Sequence, residues 1–121
     1  MAVLNPPETD GDREAIPATI SAAESVSASL NVDGRSVCGL VMPEVWDAAV
    51  ISFQGSVDGE NFYPLYDAGG NELYAVVDVE RYVVLDCAWF DGVQVLRLCS
   101  GTFSSRVVQT SDAEIILVAR G

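Results

Sequence analysis

Short runs of alternating apolar and polar residues constrain the fold of this chain more than any other feature. "SVSASLNV", "AVISFQGS" and "VQVLRLCSG" each place apolar residues at every second position. That period is typical of strands buried on one side. Such runs recur at intervals of about 8 to 12 residues, with Gly, Asp and Asn between them. The pattern predicts an all-β fold, an antiparallel β-sandwich that is jelly-roll-like or Ig-like.

The chain of 121 residues is long enough for one core and divides unequally. Residues 1–15 contain two adjacent prolines and the charged run "ETDGDRE", which predicts an extended, flexible N-terminal arm. Residues 16–121 are predicted to form a single β-sandwich domain. "PEVWDAA" is the one stretch that favours a helical turn, starting after Pro43. We expect Pro43 and Trp46 to close one end of the sandwich.

The dipeptide Asp58-Gly59 separates two of the apolar runs, "AVISFQGS" and "NFYPLYD". Asp-Gly is favoured in two-residue type I′ turns, so the pattern predicts a hairpin. Phe53 and Phe62 would then point inward from its two strands. We expect Asp58→Pro or Gly59→Val to lower stability without removing any reactive group.

The formal net charge of −12, with six Arg and no Lys or His, restricts the classes of partner. Binding to nucleic acid or to an anionic membrane needs a basic surface, so neither is predicted. No apolar run reaches the roughly 18 residues of a membrane span, and the first residues lack a basic leader. The acidic run Glu8–Asp12 has the composition of a calcium loop but not its Asp-x-Asp-x-Asp spacing, so no metal site is predicted.

The chain lacks most of the groups that enzymes use. Without His, neither a Ser-His-Asp nor a Cys-His arrangement exists. No phosphate-binding glycine loop occurs, and Ser56–Gly59 does not have the Gly-x-Ser-x-Gly form of a nucleophile elbow. We therefore predict a non-enzymatic protein with no catalytic, cofactor-binding or metal-ligating residues.

Three cysteines, Cys38, Cys87 and Cys99, lie in apolar runs without a Cys-x-x-Cys motif. An odd number at these spacings does not indicate a disulfide framework. We expect all three to be buried, reduced thiols in a protein made in a reducing cytoplasm.

The aromatic residues allow two interpretations. In the first, exposed rings form a carbohydrate-binding platform on the sandwich, as such modules use aromatic faces with a few polar groups. Its candidates are Trp46, Tyr63, Tyr66, Tyr74 and Trp89. In the second, which we favour, aromatic rings fill the core and the tyrosines cover the edges. Its core residues are Phe53, Phe62 and Trp89.

Two longer stretches resemble a known family. They are "LVMPEVWDAAVISFQGSVDGENFYPLYDAGGNELY" and "LRLCSGTFSSRVVQTSDAEIILVAR". Their Met-Pro-x-x-Trp and Ser-x-Asp-Gly-x-x-Phe elements are similar to small head spike base or vertex proteins of tailed phages and gene transfer agents. The resemblance covers roughly residues 18 to 120 and implies a β-sandwich that carries out no reaction.

The resemblance also implies partners and a location. The protein would be assembled in the bacterial cytoplasm and placed on the capsid head surface of the virion. There it would form a ring, with a pentamer favoured by the symmetry of a vertex, and link the major capsid protein to a spike fibre protein that binds the host surface. The alternatives are a carbohydrate-binding module that contacts capsular polysaccharide and a decoration protein spread over the capsid lattice. Without Lys, the edge strands are expected to carry few guards, so neighbouring subunits would cover them.

Overall fold

A computed structural model describes residues 13–33 and 35–121, and its regular secondary structure is almost entirely β. They are β1 (Arg13–Ile20), β2 (Leu30–Asn31), β3 (Ser36–Val41), β4 (Val50–Ser56), β5 (Tyr63–Pro64), β6 (Tyr74–Val76), β7 (Tyr82–Val84), β8 (Val95–Thr102), β9 (Ser105–Arg106) and β10 (Ala113–Arg120). A short 3₁₀ helix spans Cys87–Phe90. The strands pair antiparallel in two packed sheets, which confirms the predicted all-β sandwich.

The two sheets differ in the number and order of their strands. The four-stranded sheet has the order β1-β10-β3-β7. The six-stranded sheet has the order β2-β8-β4-β5, with β6 also paired to β4 and β9 to β8. Alternate side chains of each sheet point into the core between them; on β10 these include the fully buried Ile115 and Leu117, and on β8 Leu96 and Leu98. The first and last described strands are neighbours, so the ends of the fold are held together.

An aromatic cluster fills the core beside the 3₁₀ helix. The rings of Phe53 and Phe90 meet edge to face, with centroids 5.0 Å apart, and Trp89 packs against both. The helix forms because the carboxylate of Asp86 accepts a hydrogen bond from the backbone N–H of Ala88. The run "YVVLDCAWF" therefore does not continue as a strand, and β7 ends at Val84.

The segment before β2 is less regular than its alternating pattern indicates. Between Ile20 and Leu30 only Val26 forms an isolated bridge, to Cys99. Ala23 has a φ of 70°, which turns the chain. Ser27 then replaces a strand pair: its N–H donates to the carbonyl of Leu98, and its Oγ accepts the Leu98 N–H. A side-chain hydroxyl thus does part of the work of a strand ladder.

Two boundary predictions need correction. Strand β1 begins at Arg13, so residues 13–15, which were expected in the N-terminal arm, belong to the sandwich. Residues 1–12, including the acidic run Glu8–Asp12, lie outside the described part of the chain. The helical turn expected after Pro43 is also wrong, because the Asp47 carboxylate binds the N–H and hydroxyl of Thr110 and holds that segment in an irregular path. Trp46 there is half-buried against the core.

The hairpin between β4 and β5 is present, but its turn is longer than predicted. Gln54 pairs with Pro64, and residues 57–62 form the connection. Only Gly59, at φ 80°, has a positive φ, so the two-residue type I′ turn is wrong. The Asp58 carboxylate organises the loop by accepting the N–H groups of Glu60 and Asn61, both at 2.9 Å.

The edges of the sheets are better guarded than the absence of Lys indicated. Pro17 stands within edge strand β1 and Pro64 within β5, where each removes a backbone donor. The remaining edge strand of the four-stranded sheet, β7, has three residues. Proline and shortness are recognised protections against edge-to-edge pairing. These edges are therefore protected against pairing with a strand of another molecule.

The hydrogen bonds of Asp58 predict that the protein becomes less stable at acidic pH. The Asn61 and Glu60 N–H groups hold the pKa of Asp58 well below its usual range. Because the pKa of Asp58 is lower in the folded protein than in the unfolded chain, where it is about 3.9, the ionised carboxylate stabilises the fold above that pH. This contribution is lost as the pH falls below about 3.9 toward the pKa of the folded protein. We expect the thermal midpoint to fall below about pH 4 in the wild type and to fall less steeply in Asp58→Asn, measured by circular dichroism from pH 2 to 7. An identical loss of stability at acidic pH in both proteins would contradict this role.

Candidate interaction surface

The outer face of the four-stranded sheet, away from the core, carries two cross-strand rows of apolar residues. We call it the apolar face. The strand registers define the rows as Ala15, Val118, Gly39 and Val84, and Pro17, Ile116, Val41 and Tyr82. Val84 is 80% exposed and Tyr82 is 59% exposed. No charged residue lies within either row.

The apolar face exists because two of its strands are apolar on both sides. β10 reads "AEIILVAR": Ile115 and Leu117 face the core, while Ile116 and Val118 face outward. β3 repeats this, with Leu40 inward and Val41 outward. Strands that are apolar on both sides are typical of sheets covered on both faces. On the outer face of the described chain Val118 is only 9% exposed, whereas Val84 and Tyr82 at the β7 end remain largely exposed.

A glycine makes the apolar face flat. A Cβ atom added to Gly39 would lie 2.7 Å from Cε1 of Tyr82, so the tyrosine ring rests across the glycine backbone. The ring thereby fills the gap between β3 and β7 and continues the apolar surface to the sheet edge. Such close approach of a ring to the backbone requires a residue without a side chain.

Charged residues stand only at the two ends of the apolar face. At one end Arg13 and Arg120 are opposite each other in the β1–β10 register. At the other end Glu114 is opposite Thr19. Arg120 and Glu114 are both exposed and lie on the same side of β10. The face therefore has a positive end, an apolar centre and a negative end.

The outer face of the six-stranded sheet has different chemistry, and we call it the arginine–aromatic face. The Arg97 guanidinium stacks on the Phe62 ring at 3.7 Å, and its Nε donates to Ser29 Oγ. Arg106 lies 5.8 Å from the centre of the Phe103 ring. Neither arginine forms an ion pair with a carboxylate of the described residues. Cation–π stacking holds both side chains in place.

Cys99 lies buried beside these arginines. Burial raises the pKa of its thiol, and a hydrogen bond from Arg106 partly opposes the shift. Arg106 Nη1 is itself buried without an acceptor in the described chain. A thiol with a raised pKa is a poor nucleophile, since the thiolate is the reactive form. The arrangement fits a structural thiol better than a reactive one.

The aromatic and cysteine predictions are met in part. Trp89 and Trp46 pack against the core, whereas three other members of the predicted platform, Tyr63, Tyr66 and Tyr74, are 66%, 50% and 46% exposed. The placement of Phe62 in the core is wrong, because the ring lies outside under Arg97.

Of the cysteines, only Cys99 is buried. Cys87 is exposed at the start of the 3₁₀ helix and Cys38 is half-buried, so the prediction of three buried thiols fails for these two. All three are free thiols in the structure, and their number and spacing in the sequence did not indicate a disulfide framework. The 3₁₀ helix explains the exposure of Cys87, because this residue lies at the start of the helix and not within a strand, where it was expected to be buried.

Two of the cavities formed by the described residues open at the surface. One of about 350 Å³ is polar and is lined by Asp33, Arg35, Ser36, Asp91, Gly92 and Val93. Arg35 in it is already bound by Glu14, with Nε and Oε1 2.7 Å apart. The other, of about 230 Å³, is apolar and is lined by Gly55, Ser56, Val57, Tyr63, Leu65 and Val93. Neither brings together a nucleophile and a base.

Within residues 13–33 and 35–121, no three His, Cys, Asp or Glu side chains are arranged to hold a metal ion. The same residues contain no helix with the length and apolarity of a bilayer span. Comparison of the chain with protein-family models, curated proteins and solved structures gave no match.

The environments of the three thiols predict their order of reaction. With Ellman's reagent under native conditions we expect Cys87 to react first, Cys38 more slowly, and Cys99 at least about a hundredfold more slowly than Cys87, because its reaction requires local opening. Cys87→Ser should remove the fast phase alone, and denaturant should make all thiols equivalent. Fast reaction of Cys99 in the native protein would contradict its burial.

Proposed function

We propose that this protein is a non-enzymatic structural component of a virion, a head spike base at capsid vertices that links the capsid to a fibre binding the host surface. The observation that supports it best is the apolar face, eight residues on four strands with no charge among them. Exposed apolar patches of this kind mark protein–protein contacts. The resemblance of residues 18 to 120 to spike base proteins is the reason for proposing a virion as the particle in which this contact is made.

The two outer faces suit a protein that joins unlike partners. One face is apolar and flat, and the other presents Arg97 and Arg106 stacked on aromatic rings. Arginine and aromatic residues are enriched in the centres of protein interfaces. A rigid sandwich holds both faces in fixed orientation, as an adaptor between a shell and a fibre requires. In this proposal the partners are the major capsid protein, the spike fibre protein and other copies of the chain.

Purified particles test the location. We expect antibody labelling at capsid vertices and, by quantitative mass spectrometry, about five copies for each vertex, as its symmetry requires. A copy for every capsid subunit would instead support a decoration protein spread over the lattice. Absence from washed particles would overturn the virion role.

A carbohydrate-binding module is the second candidate, and the arginine–aromatic face favours it. Tyr74 lies opposite Ser52 on this face, close in register to the Phe62–Arg97 stack. Exposed rings with nearby polar donors are what sugar-binding sandwiches use. In this reading the protein itself would contact the capsular polysaccharide of the host.

Affinity electrophoresis in gels containing host capsular polysaccharide separates the two functions. If the protein binds glycan, its migration should be retarded, and Phe62→Ala and Tyr74→Ala should each weaken binding by about tenfold through the loss of stacking. The migration of Phe103→Ala shows whether binding extends to the far end of the face. Val108→Ala, at an exposed loop position, is the control and should migrate like the wild type. Unretarded migration of the wild type would exclude the second candidate.

A further inference from the structure

We infer that the apolar face is covered by a second copy of this chain, in a face-to-face contact about a two-fold axis. The inference rests on the proposed function only in treating this face as a protein contact. It concerns the purified protein, so it does not require a capsid. Three features of the face select a second copy as the occupant: its lack of charge, the arrangement of charges at its ends, and its size.

The net charge restricts where two copies can meet. Each chain carries −12, so most pairs of surfaces bring carboxylates together and repel. The two rows of the apolar face are free of charge, and Val84 and Tyr82 in them are largely exposed. Two copies that meet there bury apolar surface while their acidic loops remain outside the contact. The edges offer no equal contact, because Pro17 interrupts β1 and β7 is short.

The charges at the ends of β10 specify the orientation of the second copy. Glu114 and Arg120 lie on the outer side, with Leu117 midway between them. A two-fold axis in the plane of the contact and perpendicular to the strands places β10 antiparallel over its own copy. Arg120 of each copy then lies near Glu114 of the other, at both ends of the contact. Packed sheets are about 10 Å apart and rotated by about 30°, which these long side chains can span.

The alternative orientations lack this match. A two-fold axis parallel to the strands keeps the β10 strands parallel and superposes like ends, so Arg120 approaches Arg120 and Glu114 approaches Glu114. Like charges in such proximity oppose association. The antiparallel arrangement is therefore the one in which the apolar rows and the end charges agree.

The size of the face predicts a weak contact. The outer face has thirteen positions, eight in the two apolar rows and five at their ends. At about 4.8 Å between strands and about 7 Å along them, they give a plan area of roughly 450 Å² on each copy. The total of about 900 Å² is near the lower limit of specific interfaces. We therefore expect a reversible dimer with a dissociation constant in about the micromolar range. A two-fold contact closes at two copies, so a five-membered ring would need a further, heterologous surface.

Sedimentation velocity over a range of protein concentrations tests the contact. The wild type should shift from one to two copies as concentration rises. Val84→Glu places a charge at the β7 end of one apolar row, at a position that is already 80% exposed, so it should preserve the fold and weaken the dimer by at least about tenfold. Val108→Glu makes the same change at an exposed loop position away from the face and should leave the dimer unchanged.

A charge exchange tests the orientation. Glu114→Arg and Arg120→Glu should each weaken the dimer, by about fivefold at low salt, because each sets like charges against each other at both ends. The double variant restores opposite charges and should recover the wild-type constant. If the effects of the two single variants on the dissociation constant simply add in the double variant, the antiparallel arrangement is wrong. A dimer that is sensitive to Val84→Glu would still place the contact on this face.

The outcomes separate this inference from the virion proposal. A wild type that stays monomeric at several hundred micromolar, or a dimer unaffected by Val84→Glu, overturns the inference even if particles contain the protein. A dimer with these sensitivities supports it even if particles lack the protein. A five-copy species in solution that survives Val84→Glu would assign self-association to another surface.

Discussion

The double-sided apolar character of β10 is the constraint on which the rest of the structure depends. Its inner residues, among them Ile115 and Leu117, meet the six-stranded sheet and close the core. Its neighbours β1 and β3 are aligned to it by their registers, so β10 also sets the positions of the outward side chains on those two strands. The strand that completes the sandwich is thus also the strand that turns the apolar side chains of Ile116 and Val118 away from the core. The core and the outer apolar face cannot be separated in this fold, because their residues alternate along one strand.

The acidic residues have a second role that the net charge conceals. Carboxylates of Asp47, Asp58, Asp67, Asp86 and Asp112 accept backbone N–H groups in loops. They replace the strand partners that irregular backbone lacks. Much of the excess of acid therefore belongs to the connections between strands, where it stabilises turns. This explains how a strongly acidic chain keeps its sheet faces nearly free of carboxylates.

The strands could be predicted from the sequence where local pattern and tertiary partner agree. β3, β4, β8 and β10 follow the apolar runs because each has a neighbour on both sides or a complete inner face. Prediction failed where a side chain diverted the backbone. Asp86 started a 3₁₀ turn within an apolar run, Asp47 kept the segment after Pro43 irregular, and Asp58 enlarged a two-residue turn. These are hydrogen bonds whose partners are only known once the chain is folded.

The apolar face was missed for a related reason. Alternation identifies strands with one buried side, whereas "EIILVA" is apolar at both parities and indicates only that a strand is well buried. Which parity faces outward follows from the pairing of β10 with β1 and β3 and from the extra residue at Cys38, where the register shifts. The sequence contains the signal, an unbroken apolar run, but does not show which of its two sides faces away from the core.

The close fit of Tyr82 on Gly39 ties the shape of this surface to a single backbone position. Any side chain at residue 39 would lift the ring and put a ridge where the two rows are level. A ridge spoils the fit of a sheet against another sheet far more than it disturbs the monomer, whose core lies on the opposite side. In the proposed dimer, a single nucleotide change in that glycine codon is therefore expected to uncouple association from folding, which gives evolution a simple way to tune how readily copies associate while each copy stays intact.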